Sequence, residues 1–110
     1  LNNWYPSERL TTDDRYQEKS VALLAARAKQ AFFEYLPIRD TADGHGRIYR
    51  TIPYGPLLEL FFLDMRSYRG ANSPNRQPTL DETSALLGAG QLRWLKNRLQ
   101  ASRATWKVIC

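Results

Sequence analysis

The stretch Leu57–Asp64, with the sequence LLELFFLD, decides how this chain folds, because it contains the longest apolar run of the sequence, residues 60–63. Residues 57–63 are apolar except for Glu59, so the stretch lacks the polar and apolar alternation of a strand with one wet face. Such a pattern is typical of a strand that is buried on both faces inside a layered sheet. We therefore predict a central strand at Leu57–Asp64 and build the fold outward from it.

The residues just before this stretch predict a second strand. Arg47–Pro53 alternates, with Ile48 and Ile52 among tyrosine, threonine and arginine. The segment 54–56, Tyr-Gly-Pro, is short and suits a tight connection. The two strands should therefore pair as an antiparallel hairpin.

Beyond the central strand, the pattern predicts a long loop, a helix and a third strand. Residues 65–85 are rich in Arg, Asn, Pro and Gly, and Asp81 and Thr83 are expected to begin a short helical turn around Leu86 and Leu87. A helix is predicted over Gln91–Ala101, where three leucines line one stripe, and a strand over Thr105–Cys110. A strand, a crossover helix and a further strand form a parallel, right-handed unit.

The first third of the chain predicts a loop followed by a helix. Residues 1–14 are polar, and Asp13 and Asp14 are candidate N-caps. Apolar positions at helical spacing predict a well-buried helix over residues 15–36, which Pro37 ends. The order helix, strand, strand, loop, helix, strand predicts an α/β (α+β layered) fold for residues 1–110, with a turn-rich loop at 39–46.

The charge of the chain points to anionic partners but not to a site. The net charge is +5, and the 12 arginines are spread along the whole sequence. A basic surface of this kind favours nucleic acid or another phosphate-bearing partner, although no basic run and no nucleic-acid module motif is present. A small basic binding module is therefore the alternative function, beside an ordinary solvated surface.

Several classes of protein lack their signature in these residues. No apolar run approaches the roughly 20 residues that span a membrane. A single cysteine, Cys110, excludes an internal disulfide and a Cys-rich zinc site, and we expect it to be a small buried hydrophobe at the end of a strand. The single histidine, His45, lies between two glycines and is expected to be an exposed loop residue. Neither a phosphate-binding glycine loop nor a Gly-x-Ser-x-Gly motif occurs.

The strongest candidate for chemistry follows the central strand. The segment 63–69, LDMRSYR, places an acid, two arginines and a tyrosine where the strand ends. Ligands of α/β sheets gather at the carboxyl ends of strands. Asp64 and Arg66 therefore form either an edge that faces an anion or a metal, or a structural ion pair that pins the loop.

Four stretches of the sequence match the motifs of one known family. They are Asn2-Asn3-Trp4-Tyr5, the helix end at 35–39 (YLPIR), the segment 63–69 with Met65 where the family has Thr, and the pair of motifs at 87–95 and 102–109. Together they resemble the PhoD-like alkaline phosphatases. The stretches occur in the order and at the spacing that the family shows, and together they extend over the chain from end to end. The resemblance implies a calcineurin-like metallophosphoesterase core that hydrolyses phosphate mono- and diesters. It also implies iron and calcium as cofactors and export from the cytoplasm.

The same resemblance implies that this chain is an internal segment. The family's Asp-Asp-His-Glu block would lie just before Leu1, and its later Ser-Gly-Asp-x-His block beyond Cys110. Among these residues, either Asn2 or Asn3 would contribute one metal ligand, with Asp64 and Arg66 in supporting positions. We accordingly expect the isolated chain to bind no metal and to be inactive. Its strands Leu57–Asp64 and Thr105–Cys110 are expected to have open edges through which copies could self-associate.

Overall fold

A computed structural model describes residues 1–40, 44–74 and 76–110. Its sheet begins with a hairpin of β1, Arg50–Tyr54, and β2, Leu58–Phe62. The two strands are antiparallel, and Ile52 lies opposite Leu60. Gly55 makes the turn at a φ of 68°, a conformation that costs glycine little. The predicted hairpin is confirmed, with β1 three residues later at its start than the alternation suggested.

The third strand, β3, Trp106–Ile109, pairs parallel with β2, so the sheet order is β1-β2-β3. The connection runs through α2, Gly88–Ala101. The predicted parallel crossover through a helix is therefore confirmed. β2 has a neighbour on each side, so the expectation that Leu57–Asp64 leaves an edge open is wrong, whereas only one side of β3 is paired within the described residues.

The packed core lies on one face of this sheet. Phe61 of β2 is completely buried, and α2 contributes the buried Leu95 and Gln91. The opposite face is more open, since the exposed fraction is 72% for Tyr54 and 68% for Trp106. Complete burial of the central strand on both faces is therefore wrong, because Leu58, Leu60 and Phe62 on this second face are only half-buried.

The first helix is shorter and less buried than the sequence predicted. α1 spans Val21–Tyr35, and only Val21 is buried. Its N-cap is Ser20, whose Oγ accepts a hydrogen bond from the Leu23 N–H at 3.3 Å. Ser20 also forms a β-bridge with Arg9, which holds the chain extended up to the cap. This bridge explains why the helix does not begin after the predicted caps, Asp13 and Asp14.

The long connection between β2 and α2 contains one short helical turn. A 3₁₀ helix spans Glu82–Ser84, and Asp81 caps it by accepting from the Thr83 N–H at 2.9 Å. The Thr83 hydroxyl also donates to Asp81, and these hydrogen bonds hold the pKa of the Asp81 carboxyl below its usual range. The predicted turn is confirmed, slightly before the residues Leu86 and Leu87 on which it was centred.

Over the residues that the structure describes, the fold is thus α+β, with a three-stranded sheet, two α-helices and a 3₁₀ helix. All four residues of β3 are exposed, and so is Cys110, because β3 is an edge strand without a layer above it. The expected burial of Cys110 is wrong for this reason. Among the described residues, no helix is long and apolar enough to cross a membrane. The predicted loop at 39–46 falls partly outside the described residues.

Candidate functional site

The loop that leaves β2 is folded around the carboxylate of Asp64, which is 6% exposed. Its Oδ1 accepts hydrogen bonds from the backbone N–H groups of Arg66, at 3.0 Å, and Ser67, at 2.8 Å. The turn is therefore held by side chain to backbone contacts, as in an Asx-turn. Among the described residues Asp64 and Arg66 form no side-chain ion pair. The Asp64 carboxylate therefore fixes the loop through the backbone N–H groups of Arg66 and Ser67 and not through an ion pair with the Arg66 guanidinium.

The same peptide is held from the other side by a buried amide. Gln91, which is 1% exposed, lies in the first turns of α2. Its Oε1 accepts from the Asp64 N–H at 2.7 Å, and its Nε2 donates to the Asp64 carbonyl at 2.9 Å and to the Leu87 carbonyl at 3.0 Å. One side chain thus satisfies both backbone groups of Asp64, much as a neighbouring strand would.

Two glycines allow the loop to pack closely against the segment before α2 and the start of α2, because neither glycine carries a Cβ. A Cβ at Gly70 would lie 2.8 Å from the Thr83 carbonyl oxygen, and the Gly70 N–H donates to the Ala85 carbonyl at 2.8 Å. Gly88 has a φ of 72°, and a Cβ there would lie 3.0 Å from Tyr68. No other residue fits these positions without displacing the loop.

The N-terminal segment reaches the loop through the guanidinium of Arg66. Arg66 Nη2 donates to Asn3 Oδ1 at 3.3 Å, and Nη1 donates to the Trp4 carbonyl at 3.5 Å. Both hydrogen bonds are long, and a guanidinium carries five N–H donors. Asn3 has a φ of 51°, a conformation that asparagine tolerates better than most residues. The structure therefore brings Asn3 and Arg66 together, while Asn2 is exposed beside them.

A second arginine belongs to the same cluster. Asn72 Nδ2 donates to the Asn3 carbonyl at 3.0 Å, and Arg69 Nη2 donates to Asn72 Oδ1 at 2.7 Å. The Arg69 Nε is buried without a hydrogen-bond partner among the described residues. Two arginines and two asparagines thus lie side by side, with an excess of N–H donors.

Arg66 and Asp64 border a cavity of about 440 Å³ between the loop and α1. Trp4 and Ser67 also line it, together with apolar residues of α1. The Asp64 Oδ2 is buried and has no hydrogen-bond partner among the described residues. An unpaired buried carboxylate oxygen is unfavourable, so this atom marks the cluster as a place that a donor or a cation could complete.

An aromatic cluster supports the loop from the sheet side. The Tyr49 ring lies 4.7 Å from the Trp94 ring and 5.5 Å from the Tyr68 ring, centroid to centroid. Arg47 stacks over Tyr49 at 5.0 Å. Burial of Tyr68, with smaller contributions from Tyr49 and Asp64, raises the pKa of its hydroxyl, so Tyr68 stays neutral around the site at neutral pH.

The described residues do not by themselves fit a metal centre. No group of three His, Cys, Asp or Glu side chains among them is placed to hold a metal ion. The Asn3 amide oxygen accepts from a guanidinium, and a positive charge at that distance disfavours a cation on the same oxygen. His45 is exposed, as predicted, and its Nδ1 lies 2.6 Å from Asp40. The metal role of Asn2 or Asn3 stays a prediction.

Sequence reasoning missed two members of the cluster. Gln91 was recognised only as one letter of a motif, and Asn72 only as part of a polar loop. Gln91 contacts a residue 27 positions away, so no local pattern indicates its partner. The signal that could have found it is a polar residue at the start of the apolar stripe of α2, since buried amides are hydrogen-bonded.

Taken together, these contacts describe an α+β protein in which a pinned loop at the end of β2 carries a cluster of arginine and asparagine side chains. The family model for PhoD-like phosphatases matches residues 1–110, the whole chain, and the protein belongs to this family. A search of curated proteins and a search of solved structures each found no match.

Proposed function

We propose that residues 1–110 supply the phosphate-binding side of the active site of a metal-dependent phosphatase, with Arg66 as the residue that binds the phosphoryl oxygens. The membership of the whole chain in the PhoD-like family supports the phosphatase activity. The observation that carries the residue assignment is the position of Arg66, which lies at the cavity edge and makes only two long hydrogen bonds among the described residues.

The chemistry of the cluster favours an anion. A guanidinium matches a phosphate geometrically because two parallel N–H groups can donate to two oxygens. Asp64 supports this role by fixing the turn that carries Arg66, and Asn3 steadies the guanidinium from the other side. Phosphoryl transfer depends mainly on positioning and on stabilising negative charge, and both needs are met by a fixed arginine.

We further propose that residues 1–110 form one partial domain in a calcineurin-like metallophosphoesterase core of an exported protein that hydrolyses phosphate mono- and diesters. Iron and calcium, implied by the resemblance, would be held mostly by the blocks expected before Leu1 and after Cys110. When bound, such ions polarise phosphoryl oxygens. The isolated chain is then inactive, because too few oxygen ligands remain.

The test compares Arg66→Ala with Arg93→Ala in the complete protein that carries these residues, with iron and calcium supplied. Arg93 is an exposed residue of α2 and serves as the matched control. Loss of a charge-assisted contact to phosphate should raise KM for p-nitrophenyl phosphate by about 10- to 100-fold, whereas the control keeps its KM. An unchanged KM in Arg66→Ala rules out the assignment.

Two further measurements address the isolated chain. We expect no turnover of p-nitrophenyl phosphate by residues 1–110 alone, even with iron and calcium. Turnover that survives repurification of the metals and that is lost in Asp64→Ala would overturn the expected inactivity. Nucleic-acid binding stays the alternative prediction, and it requires an affinity for DNA or RNA that falls steeply with salt.

A further inference from the structure

We propose that Gln91 is a positioning residue for phosphate binding: its buried amide fixes the backbone of Asp64 on both sides of its Cα, and thereby the direction in which Arg66 leaves the sheet. The inference rests on the proposed function of Arg66 and assigns a role to a residue that does not touch the substrate. It is carried by the hydrogen bonds that lead from α2 through Asp64 to Arg66.

The first link is the amide itself. Gln91 accepts from the Asp64 N–H at 2.7 Å and donates to the Asp64 carbonyl at 2.9 Å. Because the N–H and the C=O of Asp64 belong to the two peptides on either side of its Cα, neither peptide can rotate without breaking a buried hydrogen bond to Gln91. At 1% exposure, water cannot replace the lost partner.

The second link is the carboxylate of the residue so fixed. Asp64 Oδ1 accepts from the N–H groups of Arg66 and Ser67, and the turn starts from a peptide whose orientation Gln91 sets. No covalent or ionic restraint on Arg66 replaces these contacts, since its remaining hydrogen bonds among the described residues are 3.3 and 3.5 Å long. The position and direction of the Arg66 guanidinium therefore depend on Gln91.

Only an amide side chain at position 91 can make all three of these hydrogen bonds. The site requires one acceptor for an N–H and two donors for the carbonyls of Asp64 and Leu87. Methionine has the length of glutamine without these groups, and glutamate has no donor when ionised. Each variant keeps most of the volume and removes a defined set of hydrogen bonds.

The experiment measures Ki for inorganic phosphate and KM and kcat for p-nitrophenyl phosphate in the complete, metal-loaded protein. Gln91→Met should raise Ki and KM by about tenfold, since a misaligned charge-assisted contact is lost in part. Leu95→Val is the matched control. Leu95 is buried on the same helix, and its aliphatic side chain makes no hydrogen bond to Asp64. The control should lower the unfolding temperature and leave Ki unchanged.

A double-mutant cycle separates positioning through Arg66 from a general structural role. In an Arg66→Ala background, Gln91→Met should change Ki by less than about twofold, because its target is gone. A full tenfold effect in that background overturns the inference while the assignment of Arg66 stands. If Arg66→Ala itself leaves Ki unchanged, the proposed function fails instead, and the inference fails with it.

Gln91→Glu keeps the proposal testable if Gln91→Met does not fold. Only the neutral acid can donate to a carbonyl, so the ratio of its Ki to that of the parent protein should rise with pH as the introduced carboxyl loses its proton. A ratio that stays at one across the pH range overturns the inference.

Discussion

The loop after β2 and the helix α1 both line one cavity, but they are held in different ways. The loop has few apolar residues, yet Gln91, Gly70 and Gly88 fix it through buried hydrogen bonds and backbone contacts. α1 has a regular apolar stripe, yet only Val21 is buried. Apolar periodicity therefore predicts that a helix forms, whereas specific polar contacts decide which segment is fixed in place.

The largest expected effect tests whether residues of the sheet contribute more to the free energy of unfolding than residues of α1. Phe61→Ala should lower the free energy of unfolding by about 3–5 kcal/mol, because it empties the one completely buried position of β2. Leu23→Ala on α1 should change it by less than about 0.5 kcal/mol, since Leu23 is 38% exposed. Urea unfolding measures both, and equal losses would show that α1 is packed as firmly as the sheet.

A pair of glycine substitutions tests the loop directly. Gly70→Ala should cost about 1–3 kcal/mol, because the new Cβ would press on the carbonyl oxygens of Glu82 and Thr83. A Cβ added at Gly90 would meet no atom within 4 Å, and Gly90 lies inside α2. Gly90→Ala should therefore stabilise the protein by up to about 1 kcal/mol, because alanine favours the helix over glycine. Thermal unfolding of the two variants checks the difference. A neutral Gly70→Ala would mean that the loop yields easily.

The smallest effect concerns the surface turn before α1. Arg15 donates to both carboxylate oxygens of Asp13, at 2.9 and 2.7 Å, and lowers the pKa of Asp13 from 3.8 to about 2. A lowered pKa stabilises the folded state above pH 3.8, and this contribution is lost as the pH falls toward 2. Because both side chains are at the surface, the effect should be small. Asp13→Asn should remove it, as melting temperatures across this pH range can show.

The sequence predicted those parts of the fold that depend on local patterns. The hairpin of β1 and β2, the crossover through α2 and the turn capped by Asp81 follow from alternation, helical spacing and capping residues. The start of α1 was missed because the bridge between Arg9 and Ser20 is a pairing across a turn. The exposure of Cys110 was missed because a strand pattern does not show which layers cover the strand.

The contacts around Asp64 could be predicted only in part. Asp64 and Arg66 were singled out from the residues that follow the central strand, and Asn2 or Asn3 from the family resemblance; the structure joins Arg66 to Asn3, and the functional roles of these residues stay predictions. The expected alternatives, an anion-facing edge or an Asp–Arg pair, did not include an aspartate that acts through backbone N–H groups. Side-chain to backbone contacts of this kind depend on the local path of the chain, which residue types alone do not specify.

The amide of Gln91 also changes the entropy of closing the chain. β1 and β2 are joined by residues 55–57, but β3 must return to β2 across residues 63–105. Closing a loop costs more conformational entropy as the loop lengthens. By joining Asp64 to Gln91, the amide divides the long connection into a loop and a rigid helical arm that ends beside β3. Residues 102–105 then join the end of α2 to β3, a much shorter segment than residues 63–105.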